Sequence, residues 1–312
     1  MIFLLVGLLY IYILHQWKCN DNLEVFELDY LDSPTQLQNA CDLRQPLVMP
    51  SFLEPLRLPP ARGVLKVGIK DARCYLGTGS SLDAVEMTYE GALDFFASSS
   101  PHYFSENNAN FLRDSGLLRQ VKKDVDAWFQ PPNFTVHADY DFLFGNATAG
   151  TPFRYHTQNR RYLCVIHGTL RARLAPWSLI SSGVKDYEFY EFYSQTPPST
   201  TMEVVVQEGQ ILYVPPYWWY ALDYSGVAVI QCSYMTAMNA VAHAHDLVLC
   251  ALQRQNIKTH IIKDDKKSQE DFPQKHPNPD AQESVREDVH RADPVEHVET
   301  GQGISLEHEI VQ

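Results

Sequence analysis

A mainly β fold, an antiparallel jelly roll with flanking helices, is what this sequence predicts. Three observations carry the prediction. Short aromatic and β-branched segments crowd the chain between Lys18 and about Gln255, a helical stretch precedes most of them, and another closes the run. The 312 residues, 45% hydrophobic and 20% charged, suffice for one large domain. With 15 Gly and 19 Pro the composition is neither collagen-like nor low-complexity.

The elements follow in chain order. Residues 1–17 open with fourteen uncharged positions, Met1 to Leu14, then His15, Gln16, Trp17 and Lys18. A spanning helix takes about 20 apolar residues, so this stretch predicts a short single-pass anchor with Trp17 at the interface and Lys18 snorkelling. A cleaved signal is disfavoured, because no basic n-region and no small-residue cleavage site is present. Lys18 as the basic flank places the domain on the cytosolic side, whereas the sequons at Asn133 and Asn146 point to the other; orientation stays open.

Residues 18–255 form the predicted barrel domain. Ser105-Glu106-Asn107-Asn108 supplies capping residues for a helix whose Phe111, Leu112, Leu117, Leu118, Val121, Val125 and Trp128 recur at helical spacing until Pro131-Pro132 stops it. Strands are predicted over Tyr162–Ile166, Leu170–Leu174, Tyr187–Tyr193, Val204–Val206, Ile211–Val214 and Val227–Tyr234. Gly168 marks a hairpin turn between the first two, and Gly209 a tight turn before Ile211. A helix from about Thr236 to Gln255 packs through Met238, Val241, Leu247, Val248 and Leu252, and a homodimer through it is a further expectation.

Residues 256–312 read as an acidic disordered tail: from Lys263 onward there are 13 acidic and 6 basic residues, one aromatic, and no apolar period. The net charge of −13 argues against a nucleic-acid partner, since phosphate contacts need a cationic face. The six Cys contain no C-x-x-C pair, so zinc-ribbon and thioredoxin-type sites are not expected.

Three stretches taken together resemble the jumonji-C/cupin-like family of double-stranded β-helix proteins, relatives of the Fe(II)- and 2-oxoglutarate-dependent hydroxylases. They are Tyr103-Phe104-Ser105-Glu106-Asn107-Asn108; Thr151-Pro152-Phe153-Arg154-Tyr155-His156 with the following Tyr162 to Pro176; and Val206 to Tyr220, which contains Glu208-Gly209 and Pro215-Pro216-Tyr217-Trp218-Trp219-Tyr220. The match runs from about Leu37 to Gln255. The compact form with an apolar N-terminus is similar to versions carried by large DNA viruses.

The resemblance implies a site of two His and one carboxylate holding Fe(II). Aligned from Thr151-Pro152, Arg154 stands in the first His slot and His156 in the carboxylate slot; slid by one residue, counting back from Gly168, His156 takes the first slot with Gln158 near the acid's place. Tyr220 stands for the second His in either register. His156 alone is a usual iron ligand, and a guanidinium beside the site repels a dication. The Lys that holds 2-oxoglutarate in hydroxylase members is closest to Leu170, while Thr151, a co-substrate contact, is kept. Arg171 or Arg173 could hold a carboxylate if either points inward.

The resulting expectation is a membrane-anchored, non-catalytic binding or scaffold module without a cofactor or catalytic residues. Its pocket is lined by Thr151, Arg154, His156, Arg171, Trp218 and Tyr220 and suits a small anion, an acidic ligand or a protein partner's acidic side chain. Trp218 and Trp219 alternate on a strand, so one faces the core and the other the surface or an interface. The alternatives are an active Fe(II)/2-oxoglutarate protein hydroxylase, with His137 and Asp139 joining His156, and a structural virion or membrane component. His137-Ala138-Asp139 itself reads as a polar turn, His243, His245 and Asp246 as ordinary helix positions, and Cys164 and Cys232 as buried hydrophobes. Arg160-Arg161 pair with carboxylates or solvent in preference to forming an anion site.

Overall fold

The computed structural model describes residues 2–51, 65–71, 84–98, 103–131, 134–145, 149–179, 191–193 and 197–256. The expected acidic tail lies outside these residues apart from Asn256, as do residues 187–190 of one expected strand and the sequon positions Asn133 and Asn146. In order, the elements are α1 (Ile2–Gln16), β1 (Phe26–Glu27), α2 (Pro34–Asp42), β2 (Leu47–Pro50), β3 (Lys66–Asp71), β4 (Val85–Thr88), α3 (Tyr89–Ser98), β5 (Tyr103–Ser105), α4 (Ala109–Asp114), α5 (Leu117–Phe129), β6 (Thr135–Gly145), β7 (Ala149–Gly150), β8 (Arg154–His156), β9 (Arg160–Ala175), β10 (Glu191–Tyr193), β11 (Met202–Gln207), β12 (Gln210–Tyr213), β13 (Trp219–Thr236), α6 (Ala237–Ala242) and α7 (Ala244–Asn256).

The chain is β-rich with helices around it. Two long strands, β9 and β13, pair along nearly their whole lengths, Trp219 opposite Ala175 at one end and Tyr234 opposite Arg160 at the other. Midway both bend. Gly168 (φ 77°) and Gly226 (φ 62°) adopt left-handed backbone, and a Cβ on Gly168 would sit 2.9 Å from the Gly226 carbonyl oxygen. Only glycine fits that approach. The register shifts there too, between Ser225 and Ala228 and again between Ala228 and Val229. The expected hairpin at Gly168 is therefore corrected: the two predicted strands are halves of one bent strand that do not pair with each other.

The bend divides the sheet into two branches. Before Gly168, β9 lies between β12 and β13, and β13 leads on to β6, β5, β3 and β4. After it, β9 lies between β11 and β13, and β13 pairs at Tyr220 with β8, which carries β10. One apolar cluster draws from both branches, with Leu163, Leu212 and Val229 from the first and Leu170, Leu174, Val206 and Leu222 from the second. The branches thus face each other across it. Strand alternation sets the composition: Leu170, Ala172 and Leu174 are 0% exposed, while Arg171 and Arg173 between them point the other way.

A second cluster covers the outer side of the first branch. There α2 and α5 bring Leu37, Cys41, Val121, Val125 and Phe129 against Tyr162, Cys164, Tyr213 and Cys232. Phe129 stacks on Tyr162 with centroids 3.9 Å apart. Helix α5 buries Leu117, Val121, Val125 and Phe129, four residues apart, each worth about 1.5–3 kcal/mol. Ser33 caps α2 by accepting from the Gln36 N–H, with Pro34 in the first turn.

Several expectations are corrected here. The helical stretch after Asn108 is two helices, because Ser115 and left-handed Gly116 (φ 79°) break it. His137-Ala138-Asp139 lies within β6, paired with Met235, Tyr234 and Ser233, and is not a turn. The closing helix is split at His243, and its expected packing residues Val241, Val248 and Leu252 are exposed. Both Trp218 and Trp219 are buried: they do face opposite ways, but Tyr155 and Trp177 cover the outward one. Helix α1 occupies the expected anchor stretch, and its 15 residues rise about 22 Å against a hydrocarbon thickness of about 30 Å. Among the described residues no helix is long and apolar enough to cross a membrane.

Candidate functional site

The site is built from the loop that ends β5. Asn107 adopts a left-handed conformation (φ 64°), which turns Glu106 between the two branches. Asp141 on β6 holds the turn: its carboxylate accepts the N–H groups of Asn107 (2.7 Å), Asn108 (2.5 Å) and Phe142 (2.8 Å). The Asn108 amide donates to Ser105 Oγ (2.8 Å) and to the Phe142 carbonyl (2.7 Å) and accepts from the Gly68 N–H (3.0 Å). Burial pushes Asp141 up to about 7, and it outweighs the N–H donors that favour the ionised form.

Glu106 is 3% exposed and both its oxygens are engaged. Arg154 donates to it twice, Nη1 to Oε2 at 2.5 Å and Nη2 to Oε1 at 2.6 Å, in the fork geometry that makes such pairs strong. The Tyr224 hydroxyl adds a third donor at 2.8 Å. Burial and then the Glu106 charge hold that phenol well above its ordinary range, so it stays a donor.

Tyr220 sits directly across from Arg154 on the neighbouring strand. Two guanidiniums lie near its ring, Arg154 at 5.1 Å and Arg161 at 5.8 Å from the centroid, and its hydroxyl accepts a hydrogen bond from Arg161. Arg161 also donates to Ser233 Oγ (3.2 Å) and Gln158 Oε1 (3.1 Å). The His156 ring is 6.1 Å from that of Tyr220, with Nε2 3.1 Å from the Val214 carbonyl oxygen.

Among the expected pocket residues, Arg154, His156 and Tyr220 come together. Thr151 is buried nearby in chain but ties strands: its Oγ1 accepts the Leu222 N–H at 2.9 Å. Trp218 packs in the apolar cluster between the branches. Arg171 is corrected. It faces outward and pairs with Glu203 at 3.1 Å, because inward positions on that half of β9 are Leu170, Ala172 and Leu174. Arg173 also faces away from that cluster, held by Asp223. Arg160 binds Asp42 at 2.5 Å, as a carboxylate pairing predicts, whereas Arg161 enters the interior.

His243 is more than an ordinary helix position: it is buried, with Nε2 2.6 Å from the Tyr217 hydroxyl and Nδ1 3.6 Å from Asp246. Cys164 and Cys232 are buried as expected. His137 is exposed, and among the described residues no three His, Cys, Asp or Glu side chains gather as a metal-binding group. Two pockets lie elsewhere, one of about 480 Å³ between β1–β2 and β11, the other of about 250 Å³ beside Phe96, Phe144 and Val227.

Sequence reasoning missed Glu106, Tyr224, Arg161 and Asp141 as partners in one network. The available signal was the inward parity of Tyr220 and Tyr224 on one strand, together with a carboxylate in a loop rich in capping residues. No protein-family model matches this chain, and no curated protein does.

Proposed function

We propose that this chain is a membrane-attached, non-catalytic binding or scaffold module built on a double-stranded β-helix of the jumonji-C/cupin-like kind. The carrying observation is the bidentate Glu106–Arg154 pair beside Tyr220: the resemblance implies an iron ligand at Arg154 when aligned from Thr151-Pro152, and at Tyr220 in either register. The finer fold reading is supported by the branch orders β12–β9–β13–β6 and β11–β9–β13–β8, four strands facing four. Attachment is supported by α1, whose exposed residues from Phe3 to Leu14 carry no charge and are mostly aliphatic.

The residues present do not fit a ferrous ion. A guanidinium fills one ligand position, a phenol another, and the nearby carboxylate has both oxygens bound to Arg154. An internal ion pair in place of a dication leaves each of its two buried charges with a partner. The acidic-ligand reading weakens at Arg154, which Glu106 already neutralises.

The test is iron content of the full chain, purified anaerobically in detergent with ferrous salt, beside the Arg154→His/His156→Asp/Tyr220→His variant. An iron-free natural chain and an iron-binding variant are expected. Stoichiometric iron in the natural chain, with turnover of 2-oxoglutarate, overturns the reading.

A further inference from the structure

Helix α1 is apolar around its whole circumference. Phe3, Leu4, Val6, Leu8, Tyr10 and Ile11 are 56% to 93% exposed; among the described residues of its last turns Ile13 is half-buried and Gln16 buried, and α1 contacts α6. That base is bolted down. Arg44, itself 6% exposed, donates from Nη1 to the carbonyl oxygens of Gln16 and Lys18, both at 2.8 Å. These are carbonyls left without helical partners at a C-terminus. The helix therefore leaves the domain in a set direction instead of on a loose tether.

A helix that docks in a protein groove or pairs with a second copy presents one apolar stripe and a polar back. All-round apolarity needs apolar surroundings on every side, which hydrocarbon supplies. Helix α6, which α1 contacts, and α7 after it carry further exposed apolar residues. Val241 on α6 and Val248 and Leu252 on α7 are 52%, 57% and 51% exposed. On α7 the spacing of four puts Val248 and Leu252 on one helix face. The two helices meet at His243 (φ −110°, ψ 18°), whose N–H donates to Asn239 O and whose carbonyl accepts from the Leu247 N–H. Trp17, 49% exposed at the base of α1, has the amphipathic ring suited to the headgroup level.

We infer that α1, Trp17 and the Val241–Val248–Leu252 stripe form one lipid-facing surface, with Arg44 setting the domain against the bilayer at a fixed attitude. This rests on the membrane-attachment reading above and adds the second contact and the bolt.

The experiment uses the full chain, carrying an environment-sensitive fluorescent amino acid at Phe3 or at Leu252, reconstituted from detergent into phosphatidylcholine vesicles and floated on a density gradient. Flotation, with blue-shifted emission and quenching by brominated lipid at both positions, is expected. Flotation with a shifted Phe3 label and a water-exposed Leu252 label overturns the shared surface and leaves the anchor standing. Failure to float removes both readings. A Leu252 label that shifts with protein concentration in the absence of vesicles means a second copy covers the stripe, which also overturns the inference. For the bolt, Arg44→Met is compared with Arg44→Lys after both are matched for thermal midpoint. Tryptic cleavage after Lys18 is expected to rise roughly tenfold in the Met variant as the local opening equilibrium shifts. An unchanged rate in both overturns the role given to Arg44.

Discussion

Between the two sheet branches, where apolar side chains are the rule, Glu106, Arg154 and Arg161 are 3% exposed or less; on α1, α6 and α7, Phe3, Val241, Val248 and Leu252 are more than half exposed. Each region holds the residue types expected of the other. The interior tolerates charge because every oxygen of Glu106 meets a donor fixed by the backbone, through a loop that Asp141 holds in turn. Among the described residues the α1 surface has no such internal answer. A misplaced charge is satisfied by geometry, whereas an exposed apolar surface draws its stability from what it meets.

The strongest way to break this contrast is to remove one interior partner. Arg154→Met leaves Glu106 buried with Tyr224 alone, and unfolding in urea should show a loss of about 3–5 kcal/mol. The Glu106→Leu/Arg154→Met double variant should lose much less than the two single losses together. Equal and additive losses would mean that the pair does not act as a unit.

A pH series sharpens the same point one layer further out. Asp141 gains its proton near pH 7 in the folded chain, against an ordinary value of 3.8. Between those values the folded state holds more protons than the unfolded, so this group's contribution to stability is fully present below about pH 4 and is lost as pH rises towards 7. The slope is at most about 1.4 kcal/mol for each pH unit. Asp141→Asn should flatten it, read as unfolding midpoints across that window. An unaltered slope would assign the titration elsewhere.

The smallest effects belong outside. Leu252→Ser should change the stability of the detergent-solubilised chain by no more than about 0.5 kcal/mol, as for a surface site. Arg171→Ala, which removes a half-exposed ion pair with Glu203, should cost less than about 1 kcal/mol. A loss of several kcal/mol at Leu252 would place that residue in a core and erase the contrast.

Much of the sheet was legible because its rule is local. Alternation across Leu170, Arg171, Ala172, Arg173 and Leu174 fixes which side faces inward, and Val204–Val206 and Ile211–Val214 match β11 and β12 closely. The bend at Gly168 was misread because a left-handed glycine serves a hairpin turn and a strand kink alike; the deciding partner, Gly226, lies far along the chain. The site was legible at Arg154, His156 and Tyr220, carried by the resemblance. Glu106 was not, since it reaches Arg154 across 48 residues and its neighbours read as helix caps. One of Trp218 and Trp219 was expected at the surface or an interface, because nothing in their own segment reveals that Tyr155 and Trp177 cover Trp219.

The central place of β13 also bears on how the protein is made. Residues 219–236 pair with β6, β7, β8 and β9, so both branches wait for a strand near the end of the described residues. At about 5–20 residues per second of synthesis, β6 and β9 spend several seconds on the ribosome with open edges before β13 emerges. Helix α1 has been translated long before then. If it reaches a membrane at that stage, the sheet is completed beside the bilayer, and the nascent strands finish pairing in a tethered chain instead of one diffusing among its copies.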